Sequence, residues 1–344
     1  MGLKSDGNAI YRYYDWYEEY AGEVYSDTYE ELLWADTPVY TSLFGDNRYE
    51  TVEEIVNETF SYGCYYAVIA TGTDYPDALA AASLAGALGA PIILTRDSKV
   101  DSTIELLEEL GVYEAYIVGG TAAVSQSIEN KINAAGIGTT RLAGDNRKET
   151  AIKIAEEVQD LDGNWGSDTC IVAYGNDYAD ALSASPYAYY TDSPIYLASK
   201  DGSIDSSVLD AIVAGEYENI IVVGGTSVIS ESAFSALEET GAAVTRLAGD
   251  NRYETSEEVA EWSVEQGMSY DGAAIATGTD YADALAGSAL CGYNGSVLLL
   301  AKDGKYAAVD LLDETTEHIN QIYFLGGTSA LSNTVRNYVK SLLD

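Results

Sequence analysis

The residues of this chain best placed to do chemistry are its few cations. It carries 17 Lys+Arg against 56 Asp+Glu in 344 residues, a formal net charge of −39. Arg48, Arg147 and Arg252 hold the same place in a recurring word, Gly-Asp-Asn-Arg-x-Glu-Thr, that begins at Gly45, Gly144 and Gly249. The word reads as a helix start, and a guanidinium in a first helical turn opposes the helix dipole. Local helix stability therefore does not explain it. Two roles stay open: pairing with a carboxylate such as Asp46, or holding an anionic ligand through two parallel N–H donors. Basic-acidic pairs recur as well, at Arg96-Asp97, Lys200-Asp201 and Lys302-Asp303. Arg141 and Arg246 correspond to each other, with Ser42 in the equivalent place of the first copy. Eight of the 17 basic residues thus stand in register, which marks them as candidate anion-binding groups.

Other recurring groups admit two readings each. The aspartate pairs Asp74/Asp77, Asp177/Asp180 and Asp280/Asp283 can serve as acid and base or hold a divalent cation. They can equally cap a helix and complement its dipole. Gly119-Gly120, Gly224-Gly225 and Gly326-Gly327 each precede a Thr. Such a turn can aim backbone N–H groups at an anion, or it can simply allow a tight bend. It is neither a dinucleotide fingerprint nor a P-loop, because Gly-x-Gly-x-x-Gly and a following Gly-Lys-Ser/Thr are both missing. Tyr75, Tyr178 and Tyr281 suit a sugar-stacking platform or simple packing.

Composition narrows the function classes. A single histidine, His318, argues against histidine-based catalysis and metal sites. Cys64, Cys170 and Cys291 are not repeat-equivalent and fit neither a disulfide framework nor a zinc pattern; they read as small buried hydrophobes. No nucleophile or metal ligand accompanies the aspartate pairs, so no catalytic residue, metal or cofactor is expected. A body this acidic does not wrap nucleic acid or lie on an anionic membrane through bulk charge. Its hydrophobic content of 47 % is too high for a disordered acidic chain. No apolar run reaches membrane-spanning length, and residues 1–30 lack a signal-peptide core. A secreted chain would have lost its leader already, with Met1-Gly2 as a cloning remnant.

The elements that position these groups repeat three times. Four words recur in fixed order: the arginine word, Ala-Thr-Gly-Thr-Asp-Tyr-Pro-Asp-Ala-Leu from Ala70 with its counterparts from Ala173 and Ala276, the basic-acidic pair, and apolar-Gly-Gly-Thr with a later Ser. Their period is 99 to 105 residues, the size of a small domain. Cut before the strand preceding each arginine word, the copies run 38–138, 139–244 and 245–344. Residues 1–37 form an acidic, Tyr-rich N-terminal extension, read as partly helical around Tyr29–Trp34.

Within a copy, Asn47 and Glu50 have capping-box spacing. The runs 67–70, 91–94 and 115–118 read as buried strands. Asp74 opens a second helix, residues 100–110 form a third, Ser125 caps a fourth, and 140–143 return to the sheet. Apolar strands alternating with helices give a doubly wound parallel α/β unit, and three such units suit closure as a pseudo-threefold assembly. The second helix is Ala-rich in two copies, which allows close approach of a neighbour; Pro186 in the other copy is expected to kink or shorten it.

These words together resemble the cell wall binding repeat 2 family of bacterial surface proteins. The residues that carry the resemblance are Arg-Leu-Ala-Gly-Asp-Asn-Arg-x-Glu-Thr at 141–150 and 246–255, Ala-Thr-Gly-Thr-Asp-Tyr-Ala-Asp-Ala-Leu at 276–285, and Val-Val-Gly-Gly-Thr-Ser-Val-Ile-Ser at 222–230. It spans about 38–344. The resemblance implies three tandem Rossmann-like repeats in a compact trimeric arrangement. It further implies a non-catalytic, secreted anchoring module on the cell surface, usually fused to a functional domain. The partner implied is an anionic glycopolymer of the wall, with other surface-layer proteins as further partners. By analogy, polymer contact falls to Arg48, Arg147 and Arg252, then to Arg96, Lys200 and Lys302, with Arg141 and Arg246 as further candidates. Ser42 and Phe44 in the first copy, and Tyr174, Asn176 and Pro186 in the second, depart from the pattern; equal binding by all three copies does not follow. Two rival readings stand beside it: a small-molecule or nucleotide-binding enzyme on the same frame, and a structural or adhesive surface protein.

Overall fold

A computed structural model describes residues 37–75, 77–161 and 167–343 with their side chains, and the backbone alone of 2–5, 9–20, 23–35 and 162. In the N-terminal extension β1 (Gly2–Ser5), β2 (Ala9–Tyr20) and β3 (Glu23–Ala35) form an antiparallel sheet in that order. The helix expected around Tyr29–Trp34 is therefore corrected to a strand. Tyr, Trp, Val and Thr favour a pleated ribbon. The extension's tyrosine and tryptophan side chains lie outside the described residues.

The repeated part begins with β4 (Val39–Leu43) and α1 (Arg48–Thr59). There follow β5 (Tyr66–Thr71), α2 (Ala81–Leu88), β6 (Ile92–Thr95), α3 (Val100–Glu109), β7 (Glu114–Val118), α4 (Gln126–Ala134) and β8 (Gly138–Leu142). The second repeat supplies α5 (Arg147–Asp162), β9 (Thr169–Tyr174), α6 (Ala179–Thr191), β10 (Ile195–Ala198), α7 (Ser206–Ala214), β11 (Asn219–Val223), α8 (Glu231–Glu238) and β12 (Ala243–Leu247). The third adds α9 (Arg252–Glu265), β13 (Ser269–Thr277), α10 (Ala282–Asn294), β14 (Ser296–Ala301), α11 (Ala307–Glu314), β15 (Gln321–Leu325) and α12 (Asn333–Leu343). Three four-stranded parallel sheets result, ordered β6-β5-β7-β8, β10-β9-β11-β12 and β14-β13-β15-β4. The central strands β5, β9 and β13 are buried along most of their length, as helices on both faces require. Each unit is the doubly wound, Rossmann-like α/β fold.

The sheets are staggered against the sequence copies by one strand. The strand before each arginine word closes the sheet of the preceding copy: β8 pairs with β7, and β12 with β11. At the other end β4 pairs with β15 from Val39↔Gln321 to Leu43↔Leu325. Cuts at 38–138, 139–244 and 245–344 therefore separate each fourth strand from its sheet. The chain's first repeat strand completes its last sheet, which closes the three units into a ring.

Helices α2, α6 and α10 pack on one another at the centre, while α1 meets α10, α5 meets α2, and α9 meets α6. Small residues make this possible. A Cβ on Gly86 would overlap the Tyr189 carbonyl, and one on Gly292 would overlap the Tyr189 side chain. Pro186 does not shorten its helix: α6 has 13 residues, as does α10. Packing on α2 and α10 holds it, and the Ser183 and Ser185 hydroxyls bond the carbonyls four residues back, at 3.0 and 2.8 Å. Among the described residues no helix is long and apolar enough to cross a membrane.

Candidate functional site

The arginine word is a helix start in which nearly every residue has a local task. Asn47 accepts the N–H groups of Tyr49 and Glu50 at 3.1 and 3.4 Å. Glu50 folds back to take the Asp46 N–H at 3.0 Å and the Asn47 side-chain amide at 2.6 Å. The Gly45 N–H donates to the Thr51 hydroxyl at 3.1 Å, and a Cβ on Gly45 would overlap Glu50. The same bonds recur around Asn146 and Asn251. This is a reciprocal cap displaced by one residue from the capping-box pattern, since the Glu reaches the residue before the cap. Only the arginine has no task in it.

Its guanidinium leaves the helix and joins repeats. Arg48 donates to the Gly72 carbonyl at 2.9 Å, the Tyr281 hydroxyl at 3.1 Å and Asp280 Oδ2 at 3.1 Å. Arg252 donates to the Gly278 carbonyl at 2.6 Å and Asp177 Oδ2 at 2.9 Å. Each also lies over a tyrosine ring, Arg48 over Tyr281 at 5.2 Å and Arg252 over Tyr178 at 5.4 Å. The paired carboxylate is thus the first aspartate of the preceding repeat around the ring, not Asp46. Arg147 donates to the Gly175 carbonyl. It also lines a cleft of about 710 Å³ with Asp74, Asp77, Gly120, Thr121 and Asp145, beyond the carboxyl ends of the first sheet's strands, where open α/β sheets place ligands.

The aspartate pairs divide their work. Asp177 Oδ1 accepts the Tyr178 N–H at 2.7 Å, and Asp280 Oδ1 accepts the Tyr281 N–H at 2.7 Å. Those oxygens cap, while Oδ2 takes the arginine. The second aspartate sits against the first glycine of the Gly-Gly turn. A Cβ on Gly119 would come within 2.6 Å of Asp77 Oδ2, and one on Gly224 within 2.8 Å of Asp180 Oδ2. Gly119, Gly224 and Gly326 also adopt φ of 101°, 121° and 84°, a region that disfavours any side chain. Their N–H groups bond the carbonyls of Leu142, Leu247 and Leu43, which extends the sheet by one link. Gly120, Gly225 and Gly327 offer their carbonyls to the following turn. Burial, and then the neighbouring first aspartate, push Asp180 and Asp283 up to about 6 against the opposing pull of Arg252 and Arg48.

The remaining candidates separate by exposure. Arg141 is mostly buried and bonds Glu129 at 2.7 Å and the Gly119 carbonyl at 2.7 Å. Arg246 bonds the Gly224 and Ile229 carbonyls at 2.8 and 3.1 Å. Where the first copy has Ser42, helix α12 supplies the missing guanidinium. Buried Arg336 donates to Ser42 Oγ at 2.7 Å and the Gly326 carbonyl at 2.5 Å. Sequence reasoning missed it; the clue was a basic residue four positions after Ser332, where the other copies have Glu129 and Phe234. By contrast Arg96, Lys200 and Lys302 are exposed just beyond β6, β10 and β14, the first strand in each sheet order. Arg96 and Lys302 lie over the Tyr49 and Tyr253 rings at 4.9 and 5.5 Å. In the second copy Lys148 replaces that tyrosine and bonds Asp205 and the Ser199 hydroxyl, beside Lys200 in a second cleft.

Tyr75, Tyr178 and Tyr281 meet one another, with ring centroids 5.4, 5.8 and 6.1 Å apart. Three equivalent residues from three repeats in mutual contact define the pseudo-threefold axis, so their role here is packing. Cys170 and Cys291 are buried and Cys64 is half-buried; burial pushes the Cys64 thiol up to about 11, which makes it a poor nucleophile.

Comparison with known proteins gives the family and the fold. The model of the family described as Cell wall binding domain 2 (CWB2) matches residues 43–129, 141–234 and 246–336. The N-acetylmuramoyl-L-alanine amidase LytC of Bacillus subtilis (strain 168) is 30 % identical over 298 residues, 86 % of this chain and 57 % of that protein. The amidase enhancer of the same organism is 29 % identical over 297 residues, 85 % of this chain and 39 % of that protein. The chain thus spans about half the length of these curated relatives. Among solved structures, Cwp6 from Clostridium difficile superposes with a TM-score of 0.81 at 21 % identity, covering 96 % of this chain and 51 % of that one. Cwp8 from Clostridium difficile gives 0.75 at 23 % identity, covering 88 % and 51 %. At these identities the two structures speak to the fold.

Proposed function

The chain belongs to the cell wall binding domain 2 family, and from that premise we propose that this wall-associated binding module holds an anionic secondary wall polymer without catalysing any reaction on it. The observation that carries the reading is the triplicate exposed cation, Arg96, Lys200 and Lys302, beyond the same strand of each sheet. Three weak contacts on one rigid ring would give firm retention by avidity. Arg147 is a fourth contact, at the cleft. That cleft holds Asp74, Asp77 and Asp145 beside its one arginine, so the polymer's anionic groups are expected mainly at the exposed cations outside it. Arg48, Arg252 and Arg141 are secondary candidates because their guanidinium groups already serve carbonyls and carboxylates, and Arg246 because its Nη1 serves two carbonyls and its Nη2 is buried.

Two features support a non-catalytic reading. The first aspartate of each later pair is used for capping and for joining repeats, and the second is seated against a glycine turn. The module is proposed to be secreted, to sit on the cell surface and to serve as the wall-retaining part of a longer protein, alongside other surface-layer proteins.

Co-sedimentation with purified wall, with and without its secondary polymer, tests the proposal. Retention should fall at least about tenfold on stripped wall, and by a similar factor in the Arg96→Ala/Lys200→Ala/Lys302→Ala variant, about 1.4 kcal/mol of binding. Equal retention on stripped wall would remove the polymer. An unaffected triple variant would favour a merely structural or adhesive role for the repeats.

A further inference from the structure

The end of the ring opposite the strand-carboxyl clefts carries an unusual surface. Tyr62, Tyr65, Tyr113 and Tyr293 are 76, 55, 62 and 55 % exposed. Tyr65 immediately precedes β5, Tyr113 immediately precedes β7, and Tyr293 lies in the last turn of α10. All three positions belong to the strand-amino end. Tyr65 and Tyr113 stack, with centroids 5.0 Å apart and planes at 24°. Tyr66 meets Tyr65 edge-on at 4.8 Å and in turn contacts Tyr116. Phe60, buried at the end of α1, meets the exposed Tyr293 of the third repeat at 5.2 Å.

The fold does not require these rings. In repeat one the Tyr113 and Glu114 N–H groups bond the Tyr65 carbonyl; in repeat two the Glu218 and Asn219 N–H groups bond the Asp168 carbonyl in the same way. One loop contact therefore carries a tyrosine pair in the first repeat and an acidic pair in the second. The third repeat has Asp271 and Asn320 there. Two exposed rings replacing two solvated polar groups are a feature of this repeat alone.

We propose that the Tyr65–Tyr113 pair is a binding platform for a neutral pyranose glycan, separate from the polymer-retaining cations. Tyrosine presents a flat apolar face to the C–H side of a sugar ring and a hydroxyl to its polar rim, with few rotatable bonds to immobilise. The stack and its Tyr66 and Tyr116 buttress fix the rings beforehand, so little ordering cost remains at binding. The charged group that bears on Tyr65 is the Glu114 carboxylate. It repels an anionic chain and can accept a hydrogen bond from a sugar hydroxyl. A neutral glycan is the class that both features suit.

The test is titration of the full chain with chitohexaose and with cellohexaose, followed by calorimetry and by the tyrosine ring signals in NMR. Binding of either should weaken at least tenfold in Tyr65→Ala/Tyr113→Ala and stay within about threefold in Tyr65→Phe/Tyr113→Phe, which keeps the ring faces. It should be unchanged in the Arg96→Ala/Lys200→Ala/Lys302→Ala variant, so its outcome is independent of wall-polymer retention. Folding of each variant is checked by its urea midpoint. The proposal falls if neither oligosaccharide binds the folded wild type, or if the double alanine variant binds as well as it does. It also falls if sedimentation velocity shows a dimer that the double alanine variant abolishes, because a second copy would then own the patch.

Discussion

An arginine at the start of a helix is a small puzzle of electrostatics, and each repeat solves it by sending the guanidinium elsewhere. Arg48 and Arg252 reach an aspartate of the neighbouring repeat, and those ion pairs lie beside Asp283 and Asp180. Burial raises both of these carboxyls to about 6, from an ordinary 3.8. Between those values the folded chain binds more protons than the unfolded one, so stability falls as pH rises. The contribution is complete below about pH 4 and lost above about pH 6. Replacing both residues by Asn should therefore leave stability nearly unchanged near pH 4, and raise it above pH 6 by about 1–3 kcal/mol per site. Urea unfolding of variant and wild type from pH 4 to 8 measures the gap; a gap independent of pH would show that these carboxyls do not titrate as buried groups. Comparing the two proteins cancels the self-repulsion of the other acidic residues.

Among elements, strand β4 and helix α12 show how one structural need is met by different parts of the chain. In the first two sheets the arginine on the fourth strand, Arg141 or Arg246, bonds the carbonyl of the Gly-Gly turn. In the third sheet that strand carries Ser42, and Arg336 arrives from the helix instead. Arg336→Ala should cost about 2–4 kcal/mol, because it leaves the buried Gly326 and Leu331 carbonyls unpaired and opens a void. Ser42→Arg combined with Arg336→Glu copies the first sheet, where Arg141 pairs with Glu129, and should recover at least half of that loss in chemical denaturation. No recovery would mean that the two positions do not share a role.

These elements also show what was legible beforehand. The helices capped by Asn47 and Ser125 and the apolar strands could be read directly, because caps and periodicity are local. The helix expected to open at Asp74 instead starts at Ala81, behind a short 3-10 turn and without a side-chain cap. The partner of Arg48 could not, since Asp280 lies 232 residues away. The destination of β4 was hidden for the same reason: a strand's sequence shows that it will pair, not with which edge. Tyr75, Tyr178 and Tyr281 were visible as a set, yet only closure of the ring separates packing from sugar stacking. Tyr65 and Tyr113 were invisible because they break the repeat rather than obey it.

At the scale of the whole molecule the charge of −39 sets the conditions under which the proposed retention can work. Arg48, Arg141 and Arg252 are already paired with carboxylates, so the field far from the surface is that of an acidic body. An anionic polymer must cross that field before it meets Arg96, Lys200 or Lys302. Long-range repulsion and short-range attraction respond differently to salt. The Debye length falls from about 30 Å at 0.01 M to about 10 Å at 0.1 M, which removes distant repulsion while contacts at a few ångströms persist. Retention on purified wall should therefore rise between about 0.01 and 0.1 M NaCl and decline toward 1 M, where the Debye length is about 3 Å and close pairs are weakened too. A few millimolar magnesium should strengthen retention at the low-salt end by neutralising carboxylates on both partners. The measurement is the bound fraction across a salt series at constant pH. A steady loss from the lowest salt upward would mean that the polymer senses only the local cations, and that the acidic body does not oppose its approach.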